Sequence, residues 1–144
     1  MTFNGCNLLQ LSSRVDMVGA YPTSEDNAVL IDLRTGKRLG ADDVFAIGKQ
    51  AALAETLQPQ LARAVETIRQ DKDAEDLVGD IAARRVTVQD LSSFEVLDTG
   101  LTFDYRFDFP HVIQALEPEP FFLTWAELAP FLAKDGPLGA GGPR

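Results

Sequence analysis

The chain has 144 residues, of which 45% are hydrophobic and 24% charged, as is typical of one globular domain. Its 22 acidic and 13 basic residues give a net charge of −9, which disfavours nucleic acid and anionic membrane surfaces as partners. The single cysteine, Cys6, excludes an internal disulfide. No apolar run approaches the roughly 18 residues that span a bilayer, so we expect no membrane insertion.

Two strands are predicted near the N-terminus. Apolar side chains occupy alternate positions from Leu9 to Met17, apart from Ser13, and the same period of two recurs from Ala28 to Leu33. We expect the apolar row of each strand to face the core, with a polar loop at residues 22–27 between the strands. Gly36 ends the second strand, because glycine supplies the positive φ that a turn needs.

A long amphipathic helix is predicted next. Apolar residues recur at every third or fourth position, at Leu53, Leu57, Leu61, Val65 and Ile68. This stripe indicates one helix of about 25 residues. Pro59 lies within it, and an interior proline removes a helix hydrogen bond, so we expect a kink there.

The second half of the chain has the strongest strand pattern. Phe94 and Val96 begin a hairpin that turns at residues 98–100, and the partner strand is predicted to run from Leu101 to Phe109. The apolar row of that partner strand is Leu101, Phe103, Tyr105, Phe107 and Phe109. Being large and aromatic, this row is expected to belong to the core.

A short strand and a short helix are predicted to follow. Residues 121–123 read as the last strand. Thr124 can cap the next helix, with Glu127 at the third helical position completing a capping box.

The order of these elements predicts an α+β fold with a mostly antiparallel sheet. One face of the sheet is expected to be covered by the long kinked helix, and a short helix to end the fold. Residues 1–135 are predicted to form a single domain. The glycine- and proline-rich residues 136–144 are predicted to be a disordered tail.

Catalytic and metal-binding patterns are weak. His111 is the only histidine, and no serine lies in a Gly-x-Ser-x-Gly elbow. The acidic segment at residues 71–82 lacks the central glycine and the final glutamate of a calcium loop. We therefore expect no enzyme, metal site or cofactor. An enzyme using Asp104, Asp108 or His111 is the alternative, and it requires these groups to converge in a cleft.

Several short phrases occur in an order that is characteristic of one family. They are Gly19-Ala20-Tyr21-Pro22, the strand and turn at residues 28–45, the hairpin at residues 91–103, Phe109-Pro110-His111, and residues 121–132. Together they resemble a bacterial domain of unknown function, found at the C-terminus of lysozyme-sensing anti-sigma factors and of a peptidoglycan deacetylase. The resemblance covers about residues 9–132. Tyr21 stands where the family usually has histidine, and His111 where it often has tyrosine.

The resemblance implies a non-catalytic recognition module of the cell envelope. Its partner would be a basic protein such as lysozyme, or a cell-wall glycan, and its location would be extracytoplasmic if the chain is a domain of a longer protein. The alternative is a small acidic cytoplasmic protein that binds or inhibits a basic partner, with Met1 as its native start. Charge alone favours a basic partner in both cases.

The candidate binding residues are polar or aromatic positions at loop ends and on the outer face of the hairpin. They are Tyr21, Asp104, Arg106, Asp108, His111, Glu117 and Glu119. Asp104, Arg106 and Asp108 alternate with the aromatic row and are expected to form a partly paired polar surface. The segment Glu117–Pro120 is either a binding edge or a simple connection.

Overall fold

The computed structural model of the chain describes residues 3–5, 7–18, 23–71, 74 and 78–139. Two antiparallel sheets lie within these residues. The first sheet contains, in order, β1 (Phe3–Gly5), β2 (Leu8–Met17), β3 (Thr23–Asp32) and β4 (Lys37–Leu39). The second contains β5 (Phe94–Leu97), β6 (Gly100–Phe103) and β7 (Phe121–Thr124). The α+β class is thus confirmed, with two small sheets in place of one.

One helix in the described residues is long. The α-helices are α1 (Ala41–Val44), α2 (Gln50–Arg69), α3 (Val78–Ile81) and α4 (Trp125–Leu128). Two 3₁₀-helices span Gln89–Ser92 and His111–Leu116. The 20 residues of α2 contain Pro59, and all five residues of the predicted apolar stripe are buried. The kink at Pro59 and the covering of a sheet face by this helix stay predictions.

β2 and β3 form a longer hairpin than predicted. Ten residues of each strand pair, from Leu8 opposite Asp32 to Met17 opposite Thr23. Residues 23–27, predicted as loop, therefore belong to β3, because β2 offers a partner backbone along its whole length. Pro22 lies outside the described residues. β1 and β4 pair only with the base of the hairpin. The rest of it, residues 11–17 and 23–29, is a two-stranded ribbon that we call the arm.

The first sheet buries the face opposite to the predicted one. Its inward row consists of Leu8, Gln10, Leu30 and Asp32. Its outward row includes Leu11, Val15 and Met17, which are 44%, 48% and 45% exposed. The prediction that the odd-numbered row faces the core is wrong, because the core contacts only the base of the hairpin, where the even-numbered residues point inward.

The second sheet follows the predicted faces. Phe94 and Val96 of β5 are buried, as are Leu101 and Phe103 of β6. β6 ends at Phe103 and not at Phe109 as predicted, although burial continues to alternate beyond it. Gly100 is required where β6 meets β7, since a Cβ there would lie 2.0 Å from the Leu123 carbonyl oxygen.

A single hydrophobic cluster connects both sheets with α2. The Phe45 ring lies 5.7 Å from the Phe94 ring and 6.0 Å from the Phe103 ring, as measured between centroids. The Tyr105 ring stacks on Phe121 at 5.4 Å. These distances are typical of favourable aromatic pairs, so the aromatic row is part of the core as predicted.

Residues 136–139, at the start of the predicted tail, lie against the core. Leu138 is buried and belongs to the core cluster. The Gly139 N–H donates to the Gly136 carbonyl at 3.0 Å, which closes a turn over this residue. One apolar side chain with a place in the core is enough to order a segment whose composition suggests a linker. Residues 140–144 lie outside the described residues.

Candidate functional site

A polar groove of about 780 Å³ is lined by residues of both sheets. The charged residues of its lining are Arg14, Arg38, Glu95, Asp104, Arg106 and Glu117. Its hydroxyl groups come from Ser12, Ser13, Ser92, Ser93 and Thr102. The groove therefore combines donors and acceptors of hydrogen bonds on walls contributed by distant parts of the chain.

Two hydrogen bonds connect the sheets beside the groove. The buried Gln10 side chain accepts from the Val96 backbone N–H at 2.6 Å. The Ser12 hydroxyl donates to the Glu95 carboxylate at 3.0 Å. A buried N–H without a partner is costly, so the Gln10 amide fixes the spacing of β2 and β5 as well as satisfying Val96.

Asp104 and Arg106 form an ion pair on the groove wall. The Arg106 Nε–H donates to Asp104 Oδ2 at 2.9 Å, and both side chains are about one-third exposed. Their spacing of two residues on extended backbone places them on the same side, as the sequence predicts. A partly exposed pair contributes little to stability, and its main effect is to hold two charged groups at the groove surface.

Glu117 satisfies backbone groups that have no strand partner in the described residues. Its two carboxylate oxygens accept from the N–H groups of Phe107 and Phe109, each at 2.7 Å. The carboxylate thus satisfies two backbone N–H groups beyond the end of β6, on either side of Asp108, where the backbone leaves the extended conformation. The Glu117–Pro120 segment is anchored in this way, and Pro118 and Pro120 line the groove.

The other predicted binding residues lie elsewhere. Asp108 is exposed, has a left-handed φ of 57° and is not part of the groove lining. Glu119 lines a separate depression beside α2, together with Arg63. Tyr21 lies outside the described residues, as does the side chain of His111, whose backbone begins a 3₁₀-helix. The structure thus brings Asp104, Arg106 and Glu117 together out of the predicted set.

Arg14, Arg38 and Glu95 are groove residues that the sequence reasoning missed. Arg14 belongs to the polar, even-numbered row of β2, which the sequence pattern assigns to solvent, whereas Arg38 lies on β4 and Glu95 on β5. Because the first sheet buries its even-numbered face at the base, the same face carries Ser12 and Arg14 to the groove.

The groove lining has no net charge, whereas the whole chain has a net charge of −9. Three arginines face three carboxylates there. One of the carboxylates is engaged by two backbone N–H groups, one by a hydroxyl and one by a guanidinium. A site of this kind is suited to an uncharged polar ligand, because it offers no excess of either sign.

Asp32, Asp43 and Glu127 have lowered pKa values, and each shift has a structural cause. The backbone N–H of Arg34 lowers the pKa of Asp32 at the turn after β3. The Lys37 ammonium lowers that of Asp43. Hydrogen bonds from Thr124, chiefly its backbone N–H, lower the pKa of Glu127 in the predicted capping box. Each shift reflects a cap or turn of the fold.

The described residues contain neither a cluster of metal ligands nor a membrane-spanning helix. No group of three or more histidine, cysteine, aspartate or glutamate side chains in that part of the chain is placed to hold a metal ion. No helix within it is long and apolar enough to cross a membrane.

Comparison with known proteins adds no relative to this description. No model of a known protein family matches the chain, and no curated protein is significantly similar to it. The resemblance drawn from the short sequence phrases therefore stays a prediction.

Proposed function

We propose that the chain is a non-catalytic recognition module of the cell envelope, and that the groove between its sheets binds a cell-wall glycan outside the cytoplasm. The observation that carries this proposal is the composition of the groove. About 780 Å³ of space is lined by hydroxyl groups and by equal numbers of arginines and carboxylates. This volume is within the range of roughly 300–1,000 Å³ for ligand sites.

The chemistry of the lining fits a sugar. Each sugar hydroxyl both donates and accepts hydrogen bonds, so it needs acceptors such as Asp104 and donors such as Arg38 in the same site. Pro118 and Pro120 add apolar surface against which the C–H face of a sugar ring can pack. A neutral glycan also carries no charge to be repelled by the chain's net charge of −9.

The non-catalytic part of the proposal is supported by how the carboxylates are used. Glu117 is engaged by two backbone N–H groups, and Asp104 is paired with Arg106. A general acid or base must exchange a proton with a substrate. Carboxylates committed to structural partners are poorly suited to that task, and Asp108 lies away from the groove.

A basic protein partner is the second candidate, and the net charge favours it. The chain carries −9, which attracts cationic surfaces and speeds association at low salt. Such binding would use exposed acidic side chains outside the groove. It applies both to a lysozyme-binding module and to a small acidic cytoplasmic inhibitor.

Calorimetric titration with soluble oligomers of N-acetylglucosamine, an uncharged sugar of cell-wall glycan, tests the first candidate. Arg38→Ala and Asp104→Asn remove groove hydrogen bonds to the ligand, and we expect each to weaken binding roughly tenfold to a hundredfold. Arg63→Ala is the matched control, because Arg63 is an exposed arginine on α2 that does not line the groove. Its affinity should equal that of the unmodified chain.

The same titration with lysozyme at low and moderate salt separates the candidates. Binding that weakens steeply with salt and is indifferent to Asp104→Asn supports the basic-partner candidate. Absence of glycan binding, or equal loss in Arg63→Ala and Arg38→Ala, contradicts glycan recognition by the groove.

A further inference from the structure

Five of the six charged residues that line the groove have a partner within the chain. They are Arg14, Glu95, Asp104, Arg106 and Glu117. The sixth is Arg38, whose side chain makes no hydrogen bond or ion pair with any of the described residues. Within that part of the chain, its guanidinium group is the groove charge that remains available to a ligand.

The backbone holds Arg38 at a fixed position beside the groove. All three residues of β4 pair with β3, and the neighbouring Leu39 is buried in the core. The Arg38 side chain is exposed, so a ligand can reach it without displacing another side chain. A binding group on a paired strand is positioned more precisely than one on a loop.

The hydrogen-bonding capacity of a guanidinium group restricts what it binds best. It offers five N–H donors in a planar fork and no acceptor. A sugar hydroxyl presents a donor together with its acceptors, whereas a carbonyl or carboxylate oxygen only accepts. Since Arg38 can use only acceptors, an acyl carbonyl or a carboxylate matches it better than a hydroxyl does.

The charges around Arg38 favour the neutral one of these two groups. Three carboxylates line the same groove, and the whole chain has a net charge of −9. A carboxylate on the ligand would be repelled by both. An acetamido group has a carbonyl oxygen without that charge. Its N–H can donate to a carboxylate of the lining such as Asp104, which is about one-third exposed.

From these observations we propose that Arg38 selects N-acetylated sugars, by donating from its guanidinium group to the carbonyl oxygen of the acetamido group. This inference rests on the proposed binding of a cell-wall glycan and adds the substituent that the groove recognises. Arg38 is then a specificity-determining residue, on which the preference for the acetylated sugar depends. A hydroxyl or an ammonium group at the same carbon binds more weakly, because each directs a donor at the guanidinium and the ammonium also repels it.

Two uncharged tetrasaccharides with the same linkage test this selection by calorimetric titration. One is built of N-acetylglucosamine and the other of glucose, so they differ only in an acetamido group in place of a hydroxyl. The unmodified chain should bind the acetylated tetramer about tenfold to a hundredfold more tightly, as expected for a hydrogen bond from a charged donor. Arg38→Ala should bring the two dissociation constants together, because the discriminating donor is removed.

Reversal of the charge at Arg38 should reverse a second preference. The glucosamine tetramer carries ammonium groups where the acetylated tetramer carries acetamido groups. The unmodified chain should bind it more weakly at moderate salt, where long-range attraction to the acidic chain is screened. Arg38→Glu should instead prefer the glucosamine tetramer, because a carboxylate attracts ammonium. Arg63→Glu is the matched control, since it makes the same change in charge on α2, outside the groove, and should keep the preference for the acetylated tetramer.

The outcomes distinguish the role of Arg38 from the proposed function. Circular dichroism confirms that each variant is folded. If neither uncharged tetramer binds the unmodified chain, glycan recognition by the groove is contradicted, and the role of Arg38 with it. If the acetylated tetramer binds but is not preferred, or is still preferred by Arg38→Ala, only the role of Arg38 is overturned. Loss of the preference in Arg63→Glu as well as in Arg38→Glu overturns it equally.

Discussion

The two sheets carry similar sequence patterns and use them in opposite ways. In the second sheet, Phe94, Val96, Leu101 and Phe103 alternate with polar residues and lie in the core. In the first sheet, the apolar residues of β2 also occupy alternate positions, yet Leu11, Val15 and Met17 are about half exposed. The inward positions there include a glutamine and an aspartate.

The difference shows what alternation can and cannot determine. Period two fixes which side chains share a face, because successive residues point to opposite sides. It does not fix which face meets the core. The second sheet is covered along its length, whereas the first is packed into the core only at its base.

The largest expected effect is on stability, where a substitution in the core should cost far more than one in the arm. Phe103→Ala removes a buried aromatic ring and should lower the free energy of unfolding by about 3–5 kcal/mol. Val15→Ala, on the outward face of the arm, should change it by no more than about 0.5 kcal/mol. Urea denaturation measures both. Similar costs for the two variants would contradict the burial assigned to the sheets.

Glu117→Gln should have the next largest effect, because it removes an acceptor for the backbone N–H groups of Phe107 and Phe109. The carboxylate accepts from two backbone N–H groups, and an amide presents only one acceptor oxygen. Loss of one charge-assisted hydrogen bond should cost about 1.5–3 kcal/mol in urea denaturation. Glu119→Gln is the matched control, since that exposed side chain lies two residues away. A variant at Glu117 as stable as its control would show that the bidentate contact is unimportant.

Gln10→Leu tests the connection between the sheets. The change keeps the approximate size of the side chain but removes the acceptor for the buried Val96 N–H. Leaving that group unsatisfied should cost about 1–3 kcal/mol in urea denaturation.

Gln60→Leu provides the comparison for Gln10→Leu. Gln60 bonds to the N–H and carbonyl of Phe122 at a half-buried position. Water can replace it there in part, so a smaller loss is expected. If Gln60→Leu lowers the free energy of unfolding by as much as Gln10→Leu does, the buried connection between the sheets is not the more important of the two contacts.

The smallest expected effect is a change in acid stability. The pKa of Glu127 in the folded chain lies below its ordinary value of 4.5. Stability from this group is therefore fully present above pH 4.5 and is lost as pH falls through the lowered pKa. Asp32 and Asp43 act in the same way below 3.8.

Glu127→Gln should remove part of that acid dependence. Its urea midpoint should be lower than that of the unmodified chain at neutral pH, and the two should converge as pH falls below 4.5. A constant difference between the two midpoints over the same range of pH would contradict the role of the capping box.

Locally encoded features were predictable from the sequence alone. The helix stripe from Leu53 to Ile68, the capping box at Thr124 and the β5–β6 hairpin all depend on residues close together in the chain. The spacing of Asp104 and Arg106 likewise predicted their shared side. Such features need only the backbone period and short-range hydrogen bonds to be specified.

The tertiary structure decided the features that depend on distant residues. Only the packed base of the first sheet determines that Gln10 faces inward and that Arg14 reaches the groove. Glu117 replaces a strand for Phe107 and Phe109 because the loop returns past them, and Leu138 is ordered because the core leaves room for it. Burial depends on what the rest of the chain places against a face, and periodicity carries no information about that.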